Sequence, residues 1–147
     1  MTIVYLSLGS NLGDRIGYVQ QAITQLTARP GIRLLSASSF YETEPLGCEN
    51  AEWFVNVAVA IETSLPAEDL LDVCQQIETQ LGRHRDPQNQ NAPRTLDIDM
   101  LFYGSQVIDS ERLVLPHPRA HLRAFVLVPL LEVNPRLLHP VLNRTIE

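Results

Sequence analysis

The chain has 147 residues, 45% of them apolar, and a formal charge of −6. That length favours one domain, 1–147, able to bury roughly 68–70% of the surface its unfolded form exposes. The acidic balance argues against general nucleic-acid binding, and no apolar run reaches the ~20 residues that cross a bilayer, so neither nucleic acid nor membrane is an expected partner. All eleven basic residues are Arg. Without Lys, a Walker-type phosphate loop and Schiff-base chemistry are both excluded. Cys48 and Cys74 lack metal-type spacing. Two such cysteines suit a reducing compartment, so a cytoplasmic location is expected.

Residues 2–8 read as a first strand and not a leader, being short and free of basic residues. Gly9 to Asp14 turn into a helix whose Ile16, Val19, Ile23 and Leu26 recur at 3, 4 and 3, one apolar face. Pro30-Gly31 ends it. A second strand is predicted from about Ile32 to Thr43, then a loop from Glu44 to about Trp53. The third strand, about 54–62, sends Val55, Val57, Val59 and Ile61 one way and Phe54, Asn56, Ala58 and Ala60 the other. Ser64 and Pro66 open a second helix with core positions Leu70, Val73, Cys74, Ile77 and Leu81, and Gly82 suits a left-handed cap.

Arg83 to Pro93 is polar and reads as a mobile loop. From Arg94 to Tyr103 the branched and aromatic content predicts a strand ending at Gly104. A turn at Gly104-Ser105, a short strand near Val107 and a break at Leu115-Pro116-His117-Pro118 precede a helical stretch with Leu122, Phe125 and Val126. The order β-α-β-β-α-β predicts an α+β, ferredoxin-like split βαβ sandwich with an extra C-terminal helical segment. Two helices would back one face of an antiparallel sheet. Loops and C-terminal helices would cover the other, or it would host a ligand. The fold alone does not specify a function.

The chemistry concentrates on the last long strand. Asp97 and Asp99 are two apart, so they share one face, about 6.5–7 Å apart along the strand. A strand edge with solvated carboxylates is the plain alternative. Yet Leu96, Ile98, Met100, Leu101 and Phe102 surround them, and a core strand does not accept unpaired carboxylates cheaply. A hard divalent ion fits best, and Mg²⁺ needs only one or two protein carboxylates when waters and phosphates complete its shell. Arg83, Arg85 and Arg94 bracket the polar loop, and the Arg fork suits phosphate. Phe54 beside Asn56 could stack on and hydrogen-bond a flat heterocycle, although core packing explains each residue alone. The same holds for Phe125. Gln75 and Glu78 share a helix face off the main apolar stripe, where surface residues are ordinary. His117, pinned between prolines, could donate to phosphate, although a lone His is usually structural.

Several segments together resemble the 6-hydroxymethyl-7,8-dihydropterin pyrophosphokinases. They are Gly9-Ser10-Asn11-Leu12-Gly13, Ser39 to Gly47, Phe54-Val55-Asn56, Ile77-Glu78 with Gly82-Arg83, and Pro93-Arg94-Thr95-Leu96-Asp97-Ile98-Asp99. Leu115 to Arg119, Arg123 to Leu127 and Pro129-Leu130 complete the set. The resemblance implies transfer of the terminal diphosphate of ATP to the pterin hydroxymethyl group, with AMP released. Asp97 and Asp99 would hold two Mg²⁺ ions. Arg83, Arg94 and His117 would contact phosphates, and Gln75, Glu78, Arg85, Met100, Arg112 and Arg123 would line the nucleotide side. Phe54 and Phe125 would sandwich the pterin, with Asn56 and the backbone of Thr43, Pro45 and Leu46 reading its edge. Partners would be small molecules, and a monomer is expected. Where some relatives carry Arg-Trp before Pro93-Arg94, this chain reads Gln88-Asn89-Gln90-Asn91-Ala92. Two rivals use other chemistry: a non-catalytic nucleotide or pterin sensor, and a small metal-binding regulatory module. The first does not need the acidic pair with its Arg set, and the second leaves Phe54, Asn56 and Phe125 unexplained.

Overall fold

Strand β1 (Thr2–Ser10) runs through the middle of a five-stranded sheet, paired antiparallel to β4 (Phe54–Thr63) on one side and β5 (Asp97–Tyr103) on the other. Strands β2 (Ile32–Ala37) and β3 (Tyr41–Thr43) each pair antiparallel with β4. This computed structural model describes residues 1–10, 15–43, 54–81, 96–117, 129, 132–133, 138–139 and 144–145. Helices α1 (Arg15–Thr27) and α2 (Ala67–Gln80) complete an α+β fold, with short hairpins β6 (Ile108–Asp109)–β7 (Val114–Leu115) and β8 (Leu138–His139)–β9 (Arg144–Thr145). No helix among the described residues is long and apolar enough to cross a membrane.

Strand alternation sorts the sheet into two faces. Val4, Leu6 and Leu8 of β1, Val57, Val59 and Ile61 of β4, and Ile98 and Met100 of β5 share one cluster with Val19, Ala22 and Leu26 of α1 and Leu70, Cys74 and Ile77 of α2. Each fully buried Leu or Ile there contributes ~1.5–3 kcal/mol relative to exposure. Ile16 does not join the apolar face predicted for α1, being 46% exposed. At 3.6 residues per turn it lies about 90° from the centre of the Val19–Ala22–Leu26 stripe.

The opposite face is apolar only over part of its length. Tyr5, Ala58, Ala60, Leu101 and Phe102 cluster there, and Val133 from the C-terminal segment packs on them. Tyr5 and Phe102 meet edge to face at 6.5 Å. A bulge makes this possible. Leu6 pairs with Met100 but Tyr5 with Phe102, so Leu101 is an extra residue. Leu101 and Phe102 thereby both serve the Tyr5 face, as a bulge allows.

The single second strand expected over 32–43 is two. Ala37 pairs with Val59 and Tyr41 with Asn56, so 38–40 stand opposite only Val57 and Ala58. Ser38 breaks the run. Its N–H donates to Ala58 O at 2.8 Å, and its Oγ accepts the Ala58 N–H at 2.9 Å. A serine hydroxyl has replaced the ladder's own acceptor. The short strand expected near Val107 begins at Ile108, and the β8–β9 hairpin carried no sequence signal. The predicted helical stretch around Leu122, Phe125 and Val126, and the polar loop 83–93, lie outside the described residues.

Candidate functional site

The polar half of the second face lies beyond the Tyr5 cluster. Gly9 of β1 pairs with Asn56 of β4 on one side and Asp97 of β5 on the other. Residues directly opposite in antiparallel strands share a face. One row therefore carries an amide, a residue without a side chain, and a carboxylate. Neighbouring strands lie about 4.8 Å apart, so the backbones of Asn56 and Asp97 stand about 10 Å apart with a glycine between them. In the next row, Ser7 pairs with Ala58 and Asp99. Asp97 and Asp99 are half-buried, while Ile98 and Met100 between and beside them are buried on the helix side. The alternation expected from the sequence holds. Asn56 is buried at 4% exposure.

The outer edge of β5 is secured from two directions. An edge strand presents unpaired backbone groups that need partners. Glu78 of α2 accepts the Ile98 N–H at its Oε2, 2.9 Å away. Past the acidic pair, the His117 N–H donates to Leu101 O at 2.9 Å. The half-buried His117 is thus held beside the strand that carries Asp99. Glu78 is 4% exposed, against the surface position expected for it. The helical wheel explains the difference: Glu78 follows Cys74 by four and precedes Leu81 by three, inside the buried stripe. That spacing was the available signal.

Other candidates are dispersed. Gln75 is partly exposed on α2, and Met100 belongs to the helix-side core. Arg112 pairs with Asp72 of α2 at 2.6 Å, both side chains about half exposed. On β3 and β4, Thr43 pairs with Phe54 two residues beyond the Tyr41–Asn56 pair, so the backbones of Thr43, Phe54 and Asn56 meet at one end of the sheet. Pro45, Leu46, Arg83, Arg85, Arg94, Arg123 and Phe125 lie outside the described residues, as do the side chains of Thr43 and Phe54.

Two neighbouring groups show the local electrostatics. Burial, then the charges of Glu78 and Asp99, push the Cys74 thiol up to about 12. On the far side of the sheet, Ser39 Oγ donates to Glu132 Oε1 at 2.7 Å and the Ser39 N–H donates to the other oxygen. These bonds, with one from Tyr41, hold the Glu132 carboxyl below its ordinary value. Nothing in the local sequence points to Glu132, because Ser39 lies ninety-three residues earlier.

The donor set suits a hard cation. Two carboxylates two apart on one strand face, beside a glycine, leave coordination positions for water and phosphate, as Mg²⁺ prefers. Among the described residues no group of three or more His, Cys, Asp or Glu could form a closed metal site.

These features define an α+β protein with a paired-carboxylate platform on the sheet face opposite α1 and α2. Residues 5–135 match the family described as 7,8-dihydro-6-hydroxymethylpterin-pyrophosphokinase (HPPK). The chain is 48% identical over 137 residues to a 2-amino-4-hydroxy-6-hydroxymethyldihydropteridine pyrophosphokinase of Methylorubrum extorquens, covering 93% of this chain and 85% of that protein. It is 45% identical over 131 residues to the protein of the same name from Bacillus subtilis, covering 89% and 77%. Among solved structures, an HPPK-DHPS crystallised with substrates superposes over 99% of this chain with a TM-score of 0.75 at 14% identity, a likeness of fold. This chain spans about two fifths (42%) of that one. The chain belongs to the HPPK family.

Proposed function

We propose that this protein transfers the terminal diphosphate of ATP to the hydroxymethyl group of 6-hydroxymethyl-7,8-dihydropterin, releasing AMP, in folate biosynthesis. The observation that carries the reading is the row Asn56–Gly9–Asp97 across three adjacent strands. It sets the backbones of Asn56 and Asp97 about 10 Å apart on one sheet face, and the residue between them in the row, Gly9, carries no side chain. A flat heterocycle held at Asn56 extends its substituent toward phosphates held at Asp97 and Asp99.

In this reading Asp97 and Asp99 would hold two Mg²⁺, which would supply charge neutralisation at the reacting phosphates. The carboxylates keep a fixed spacing because the strand does. Arg83, Arg94 and His117 bind phosphate oxygens, and Gln75, Arg85, Arg112, Arg123 and the backbone of Met100 border the nucleotide. Asn56 reads the pterin edge with the backbone of Thr43, Pro45 and Leu46, while Phe54 and Phe125 enclose the ring. The hydroxymethyl oxygen bonds to the β-phosphorus as the bond from that phosphorus to the α,β-bridging oxygen breaks; AMP keeps that oxygen, and the hydroxyl proton passes to solvent. Such a displacement needs positioning and charge neutralisation more than a covalent protein nucleophile. The same reading takes the fold as the split βαβ arrangement, the chain as one domain over 1–147, and the protein as a cytoplasmic monomer.

The test mixes protein, ATP, Mg²⁺ and 6-hydroxymethyl-7,8-dihydropterin. AMP and pterin diphosphate should form in equal amounts, and neither should form when the pterin is omitted. Absence of AMP, or AMP release indifferent to pterin, overturns the reading.

A further inference from the structure

Ile98 is the residue between the two carboxylates. Its side chain is buried with the helices, and its N–H points away from β1 to the open edge of β5. Glu78 reaches that N–H from α2 and accepts it at 2.9 Å. A charged acceptor makes one of the stronger hydrogen bonds a backbone amide can find. A carboxylate 4% exposed is also costly to desolvate.

We propose that Glu78 is a positioning residue: by capping the Ile98 N–H it fixes the start of β5 and so the direction and spacing of Asp97 and Asp99, and it acts through the strand, not on the nucleotide. The inference rests on the reading of Asp97 and Asp99 as metal ligands. Its geometry is specific. The bond meets the strand at the one residue flanked by both carboxylates. The anchor is α2, whose Leu70, Cys74 and Ile77 are sealed in the helix-side core. A rigid helix therefore sets the height of the strand. Groups that orient ligands from outside the metal's own shell typically change metal affinity 10–100-fold when removed.

Reach and charge separate in two variants. Glu78→Gln keeps an oxygen acceptor at the same reach and loses the charge. Glu78→Asp keeps the charge and falls one methylene short. The first readout is amide exchange at Ile98 in metal-free, nucleotide-free protein, followed by NMR, which does not depend on activity. The Gln variant should keep Ile98 slow, and the Asp variant should speed it about tenfold. The second readout is Mn²⁺ binding in the presence of α,β-methylene-ATP. Affinity should fall about tenfold in the Asp variant and stay within about threefold in the Gln variant. The kcat of the Asp variant should drop about 100-fold, with a smaller change in KM for ATP. Wild-type exchange at Ile98 in the Asp variant overturns the proposal. So does Mn²⁺ affinity lost in Gln but kept in Asp, the sign of a charge acting directly on the ligand. Should the Asp variant fail to fold, the Gln variant decides alone: fast Ile98 exchange or a tenfold loss of Mn²⁺ affinity there overturns it. Because Ile98 exchange is read without substrates, its failure is distinct from a failure of wild-type protein to form AMP.

Discussion

At Asp97 and Asp99, the proposed function and stability should separate. Both are half-buried on the face opposite the helices, so neither side chain fills the core. Asp97→Asn or Asp99→Asn should lower AMP formation by about 10²–10³-fold, since charge stabilisation of the transferring phosphates is lost. The melting temperature should stay within a few degrees by calorimetry. Activity within a few-fold of wild type in both would remove them from the site. Asn56 is different because it is buried. Asn56→Ala should weaken pterin binding about tenfold and leave ATP binding nearly unchanged in titration calorimetry, because a partner's polar edge is left unsatisfied. Cys74 supplies a third check. Its thiol, pushed up to about 12 chiefly by burial, carries almost no thiolate at pH 8. A thiol reagent followed by peptide mapping should leave Cys74 unmodified in native protein and label it after denaturation.

The elements meet at joints that individual residues define. Gly31, at φ +82°, turns the chain from α1 into β2. Its carbonyl accepts both the Ser64 N–H and the Thr63 hydroxyl, so one turn ties the entry of β2 to the end of β4. A Cβ at this position would lie 2.8 Å from Ser64 Oγ. Gly31→Ala should cost at least ~1–2 kcal/mol in denaturant unfolding, from the left-handed backbone alone. The β2–β3 kink is a second joint, gripped by Glu132 through Ser39 and Tyr41. A carboxylate whose value is depressed in the folded state stabilises it above its unfolded value, and that contribution disappears as pH falls through the folded value. Stability should therefore decline on acidification below about pH 4.5, and Glu132→Gln should flatten that part of the curve. The group is exposed, so the effect should be small and should shrink with salt. An unchanged acid limb would show that other carboxylates set it.

Over the whole molecule, one face of the sheet supplies the core and part of the other carries the proposed site. Leu6 and Ile77 are fully buried, and either one changed to Ala should cost ~2–5 kcal/mol. Asp99→Asn should cost little by the same measurement, so the two kinds of defect can be told apart. Much of this division was legible along the chain. Strand alternation depends only on the period of two, so the shared face of Asp97 and Asp99, and Asn56 on the side opposite Val55 and Val57, could be read from spacing. The helices followed from their apolar repeats, and the motif around Pro93-Arg94 to Asp99 carried the family. What one dimension could not carry was registry. That Asn56 and Asp97 flank the same glycine depends on how three strands align, which is set by burying Leu6, Leu8, Val57, Val59, Ile98 and Met100 together. The break at Ser38 depends on an amide twenty residues away, and Glu78 became a strand anchor only because α2 packs against the edge of β5. Local spacing determined which side chains share a face. Long-range packing, which alone brings distant backbone donors to their acceptors, decided which of those faces meet.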